Sequence, residues 1–177
     1  MAIDVSQFEQ MKSFLEFNAE DEENLKALGP VFAKHGGRIT DEFYLTLEKY
    51  PTTAKLIEGR VAALKATHGR WMSELFGGTY DEAYFHNRMK VGMVHVKVGL
   101  DPYWVEGVMT HLRLAGLLAI REEMSGEEAE RRYASYVKIL DLDLAIINLA
   151  YAEERLDRLT RFTGMSRKLL ENCIKKG

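Results

Sequence analysis

Five histidines, His35, His68, His86, His95 and His111, are the side chains of this sequence best suited to hold a metal. An imidazole of pKa about 6.5 is largely neutral near physiological pH, and its free nitrogen is a common ligand. Three of the five read as ordinary. His35 borders Gly36-Gly37 among charged neighbours, as a solvated helix end would. His86 stands beside Asn87 and Arg88 in a polar turn, and His111 sits off the apolar stripe of its helix. His68 and His95 differ, because each belongs to an apolar helical face. His95 lies in RMKVGMVHVKVGL, residues 88 to 100, among valines and a methionine. A helical imidazole in such surroundings needs a partner for its ring nitrogen, and either a backbone carbonyl or a metal would serve.

The elements that must position these two groups can be read from starts, stops and apolar spacing. Ser6 with Glu9 has the spacing of a capping box, and Asn18 can cap a second helix holding Leu25, Leu28 and Phe32. Gly29-Pro30 is expected to kink or interrupt that helix, and Gly36-Gly37 to separate it from one over 39–50 that Pro51 ends. A short helix surrounds Leu56 and Ile57. A longer one over about 60–76 carries Leu64, His68, Trp71 or Met72, and Leu75 at steps of three or four, hence on one face. Gly77-Gly78 breaks it. Thr79 with Glu82 is expected to cap the helix of His95, which stops at Gly99. Asp101-Pro102 opens the next, with Val105, Val108, Met109, Leu112, Ala115 and Ala119 as its stripe.

Ser125 with Glu128 starts the last and longest helix. Tyr133, Val137, Leu140, Leu144, Ile147 and Tyr151 form one apolar face; Leu142, Ala145, Ile146 and Leu149 form a second. A helix apolar on two sides is either central or shared with another subunit. Beyond Tyr151 the chain turns charged, with a weak helical pattern that Gly164 interrupts. No strand-like alternation of convincing length is found, so the reading is all-α, about eight helices in one domain.

A length of 177 residues with 46% hydrophobic and 29% charged residues describes one globular domain with a real core. The net charge of −3 offers no general basic field for nucleic acid. The single cysteine, Cys173, excludes an internal disulfide framework and suits a reducing compartment. The N-terminus lacks the pattern of a signal peptide, and no apolar run approaches the ~18 residues of a membrane span. The expected location is therefore cytoplasmic, without direct membrane contact.

Helices carrying His68 and His95 can face each other across a gap, with two imidazoles on one metal. Zinc would ask for four ligands from cysteine, histidine or carboxylate. The nearby faces offer aliphatic and aromatic groups instead: Leu64 and Met72 beside His68, and Val98 one turn after His95. Such a slot suits haem, whose four ring nitrogens leave only the axial positions to the protein. A buried histidine bonded to a carbonyl fits the same pattern.

Two stretches carry a resemblance. HVKVGLDPYWV, residues 95 to 105, resembles the proximal segment of globin-coupled sensors, with a histidine, a basic residue, a short apolar-glycine step, a proline and a tryptophan. DEFYLTLEKYP, residues 41 to 51, is similar to the family's B helix with its Phe-Tyr pair and closing proline. The resemblance extends from about Phe8 to Tyr151. It implies a globin fold of the sensor type, with an extra N-terminal helix, binding haem b. His95 then matches the proximal iron ligand. Tyr44 matches a distal tyrosine that in many relatives donates a hydrogen bond to bound gas; a core aromatic with its hydroxyl at the rim is the other reading. Two positions depart from the family. His68 stands where relatives generally have an apolar residue. Val105 stands where some carry a tyrosine after the tryptophan, which puts in doubt a signal routed through such a hydroxyl.

From this follow the remaining expectations. His68 is the distal axial ligand of a bis-histidyl iron, which O2, CO or NO must displace. Residues 1–155 form the haem-binding sensor domain and 156–177 a helical exit towards an output module. A homodimer pairs the last two globin helices, with Leu142 as a probe of that contact. Lys97, Arg88 and Lys90 are candidates to meet the haem carboxylates. The competing classes are a stand-alone protoglobin-like haem protein with redox or gas-detoxifying activity, a haem-free interaction domain, and an electron carrier.

Overall fold

A computed structural model of the chain describes residues 4–176 and places eight α-helices and no strand among them. These are α1 (Val5–Phe14), α2 (Ala19–Glu48), α3 (Pro51–Ile57), α4 (Val61–Glu74), α5 (Glu82–Lys97), α6 (Pro102–Glu123), α7 (Gly126–Thr163) and α8 (Arg167–Lys176). Asp4, not Ser6, caps α1: its carboxylate accepts from Ser6 N at 3.1 Å. Asn18 caps α2 as expected, reciprocally with Asp21. Asp81, rather than Thr79, caps α5 by accepting from Tyr84 N at 3.0 Å.

The largest departure from the sequence reading is α2. It runs unbroken for 30 residues through Pro30 and through Gly36-Gly37. A proline inside a helix costs about 3 kcal/mol and a glycine up to about 1. Against this, Leu25, Leu28, Phe32, Ile39 and Phe43 are all buried along one side of the helix. Each such burial contributes about 1.5–3 kcal/mol, so the packed stripe outweighs the local breakers.

Helix α7 is the centre of the molecule. It packs against α1, α2, α5, α6 and α8. Leu140, Ile147 and Tyr151 from one apolar face and Leu142 and Ile146 from the other are all buried within this single chain. Its two-sided hydrophobicity therefore reflects a central place. Leu142, 0% exposed, belongs to the core, and glutamate there would test folding rather than association.

Close approach between helices is set by two glycines. A Cβ on Gly92 of α5 would stand 2.6 Å from Ala150 Cβ on α7, and one on Gly116 of α6 would collide with the Tyr136 ring. The first contact draws the helix of His95 tight onto α7. Beyond Thr163, Gly164 turns the chain in the left-handed region (φ 69°). Arg167 then ties α8 to α7 through Glu153, at 2.5 Å, and Asp157.

Candidate functional site

A cavity of about 390 Å³ opens where α2, α3, α4, α5 and α6 converge, with Ile147 of α7 closing it. Its wall is almost entirely apolar. Phe43, Tyr44 and Leu47 come from α2, Leu64, His68 and Trp71 from α4, Val91, Val94 and His95 from α5, and Trp104, Val105 and Val108 from the start of α6. The apolar stripes read in the sequence are thus brought together, and both selected histidines line one space.

His68 is anchored on one side only. Its Nδ1 lies 2.9 Å from Thr40 Oγ1 on α2, whereas its Nε2 is buried with no hydrogen-bond partner. Phe43, Tyr44 and Trp71 pack around the ring at 5.0, 6.2 and 5.3 Å between centroids. Burial lowers the imidazole to a pKa of about 4. His95 is likewise held below its ordinary value by burial, and its Nδ1 is buried without a partner. Both rings are therefore neutral at pH 7, each with a nitrogen lone pair. An unpaired polar group in an apolar interior is costly. Three belong to residues of this cavity wall, the third being Trp104 Nε1, and the two on imidazoles are what a site for a metal-bearing ligand would leave. The backbone-carbonyl alternative for these histidines finds no such bond among the described residues.

Tyr44 lies 6% exposed on the same wall, and burial pushes its hydroxyl up to about 12. It is a neutral hydrogen-bond donor throughout the physiological range. Leu64 and Val98 line the cavity as expected. Met72 does not. It is buried in a second hollow with Phe32, Gly36 and Phe76, and Trp71 occupies the cavity side of α4 in its place. At about 100° per residue, adjacent positions on a helix cannot share a face, and the choice between Trp71 and Met72 was open in the sequence.

Five cavity-lining groups are solvent-exposed: Arg60, Thr67, Lys90, Val94 and Val98. They mark its rim, and Arg60 is a cation that sequence spacing does not single out. Lys90 lines the cavity and Lys97 is exposed outside the lining. Arg88 is not at the rim. It is fully buried, with Nε 3.1 Å from Asp143 Oδ2 and Nη1 donating to Glu74 at 2.8 Å.

Asp143 in turn accepts from Trp71 Nε1 at 2.9 Å and from the Tyr84 hydroxyl at 2.5 Å. Burial pushes this carboxyl up to about 6, while Arg88 and the two donors pull it down. It is a carboxylate at neutral pH. The network joins α4, α5 and α7 directly behind the cavity wall, since Trp71 belongs to both.

Of the remaining histidines, His35 and His86 differ from their expected places and His111 does not. His35 is not a solvated end: it is buried in mid-α2, with Nε2 2.7 Å from Glu123. His86 is exposed but helical, 3.3 Å from Glu82. His111 is half-buried on α6, with Nε2 unpartnered. Among the described residues no group of three or more His, Cys, Asp or Glu could hold a metal ion.

Comparison with known proteins follows the same outline. Residues 4–157 match the Protoglobin family. The heme-based aerotactic transducer HemAT of Halobacterium salinarum is 28% identical over 161 residues, covering 82% of this chain and 33% of the transducer. The chain thus spans about a third of that relative's length. The globin domain of a Geobacter sulfurreducens globin-coupled sensor superposes with a TM-score of 0.77 at 35% identity, over 81% of this chain and 96% of that one.

Proposed function

The chain belongs to the protoglobin family, and from that premise we propose that it is a haem b-binding gas-sensor domain with histidine on both faces of the iron. The observation that carries this reading is the pair of buried, unpartnered imidazole nitrogens, on His68 and His95, lining one apolar cavity. His95 is the proximal ligand and His68 the distal one. Apolar side chains such as Leu64, Val105 and Val108 hold the porphyrin faces and exclude water, and Arg60 and Lys90 at the rim face its carboxylates. Bound haem supplies an iron that takes O2, CO or NO. Tyr44 stands as a neutral donor on the distal side, and HemAT's description as a heme-based aerotactic transducer favours O2.

Were His68 to hold the iron, an incoming gas would have to displace that ring. Apparent affinity falls by the fraction of time the site is open. Movement of His68 displaces α4, and α4 is bonded through Trp71 to Asp143 of α7. The charged end of α7 beyond residue 155 is the natural route for a signal towards an output module. Catalysis is not assigned to this domain.

A homodimer through α6 and α7 belongs to the same reading. Leu114 and Leu118 of α6 are 59% and 57% exposed, one turn apart on one face, although α6 packs its other side on α7. A second copy of that face is the fitting cover, as an isologous contact. No helix among the described residues is long and apolar enough to cross a membrane.

The deciding experiment is absorption spectroscopy of ferric and ferrous protein, with and without CO. Low-spin spectra in both states that become high-spin in His68→Ala, with loss of pigment in His95→Ala, are expected. A high-spin ferric spectrum that His68→Ala leaves unchanged removes the distal ligand; colourless protein grown with ample haem removes the whole reading.

A further inference from the structure

We infer that Thr40 is a positioning residue for the distal imidazole: its hydroxyl fixes which nitrogen His68 presents to the cavity and holds the ring there. The inference rests on His68 being the distal ligand. Its own ground is an asymmetry between the two histidines. Thr40 Oγ1 lies 2.9 Å from His68 Nδ1, while His95 Nδ1 is buried without any partner. Thr40 is itself 5% exposed, so no bulk water competes for that bond.

The chemistry follows from the tautomers. A neutral imidazole protonates one nitrogen and offers the lone pair of the other. If Nδ1 donates its proton to Thr40 Oγ1, Nε2 carries the lone pair and can bind a metal. If Thr40 donates instead, Nε2 carries a proton and is left as a buried donor with no acceptor. The remaining neighbours of the ring, Phe43, Tyr44 and Trp71, touch it through aromatic faces and edges, and none of them hydrogen-bonds it. Thr40 is therefore the one hydrogen-bond partner of His68 among the described residues. An outer partner of this kind orients a metal-bound histidine and raises its basicity, and its loss weakens ligation about 10–100-fold.

Position in the fold supports the same assignment. Thr40 lies one turn before Phe43 and Tyr44 on α2, so a single helix carries both the anchor of the distal histidine and the distal donor. With Nδ1 held by Thr40 and Cβ by α4, withdrawal of Nε2 would have to loosen that bond or move α4 against α2.

The test uses haem-loaded protein and four variants. Thr40→Val keeps the shape and removes the acceptor; Thr40→Ser restores a hydroxyl; Thr40→Ala serves if valine does not load haem; His68→Ala is the reference. Expected for Thr40→Val is a high-spin ferric fraction absent from wild type, CO association with ferrous protein roughly tenfold faster, and a raised reduction potential. Serine should return all three towards wild type. Val and Ala variants that match wild type in all three, while His68→Ala does not, overturn the role of Thr40 alone. An unchanged spectrum in His68→Ala overturns the parent reading, and this inference with it.

Discussion

At His68 the two ring nitrogens meet different surroundings, one bonded to Thr40 and one bare. On the proposed reading Tyr44 adds a second distal group of opposite character, a donor that keeps its proton to about pH 12. Replacing Tyr44 with phenylalanine should therefore leave CO binding nearly unchanged and speed O2 dissociation about tenfold, because only the more polar ligand uses the hydrogen bond. Flash photolysis and stopped-flow mixing check both halves; equal effects on the two gases would demote Tyr44 to a packing residue. That His68, His95 and Tyr44 line one cavity was legible in the sequence, since a histidine or tyrosine on an apolar helical face stands out by type. Thr40 was not. A threonine in a helix carries no signal of its own, and its role depends on α2 and α4 crossing at His68. His35 misled for a related reason: charged neighbours along the chain say little about Glu123, 88 positions away.

Helix-scale behaviour turns on the buried ion pair. Arg88 and Asp143 are both 0% exposed, and they join α5 to α7 beside Trp71 of α4. Removing one partner leaves a buried charge uncompensated, which costs about 3–5 kcal/mol. Asp143→Ala is expected to lose that much in urea unfolding, whereas Glu74→Ala, whose carboxylate is 46% exposed, should lose far less. Similar losses in the two would mean that Arg88 reaches water through Glu74. Little of this picture was legible in the sequence. Asp143 stands in LDLDLAII on neither of the two apolar faces read there, so its burial follows only from how α7 packs. Arg88 was placed at the cavity rim because a basic residue on the proximal helix suits a carboxylate. Only the packing of α5 on α7 turns it inward. The breakers in α2 failed in the same way, because local propensity is small beside a long buried stripe.

For the whole molecule, the burial of five tyrosines has a pH consequence. Tyr44, Tyr80, Tyr84, Tyr136 and Tyr151 are all pushed above the ordinary value by burial, Tyr44 and Tyr151 to about 12. The unfolded chain loses these protons at about pH 10, where the fold still keeps them. The tyrosines' contribution to stability is thus full below pH 10 and falls as pH rises through the 10–12 window. Phenolate absorbance should show these five ionising only above the ordinary value and together with loss of helical circular dichroism. Ionisation of all five near pH 10 in folded protein would contradict the burial. Association is tested at the same scale. Leu118→Glu should shift the sedimentation of a dimer to that of a monomer with helicity intact, while Leu142→Glu should unfold the chain, since only the first side chain reaches solvent. The all-helical globin architecture was legible from apolar spacing and caps, because helices this regular announce their period. Which apolar faces stay open was not legible, since a central helix and a shared one look alike until their neighbours are placed.

The length of α7 gives the molecule a long stiff rod. Its 38 residues form one uninterrupted cylinder, and Asp143, fastened to the cavity wall, lies 20 positions from its end at Thr163. At ~1.5 Å per residue that arm is roughly 30 Å. A tilt of about two degrees near the fulcrum then sweeps the far tip by about 1 Å, so leverage alone could magnify a sub-ångström push from the pigment pocket.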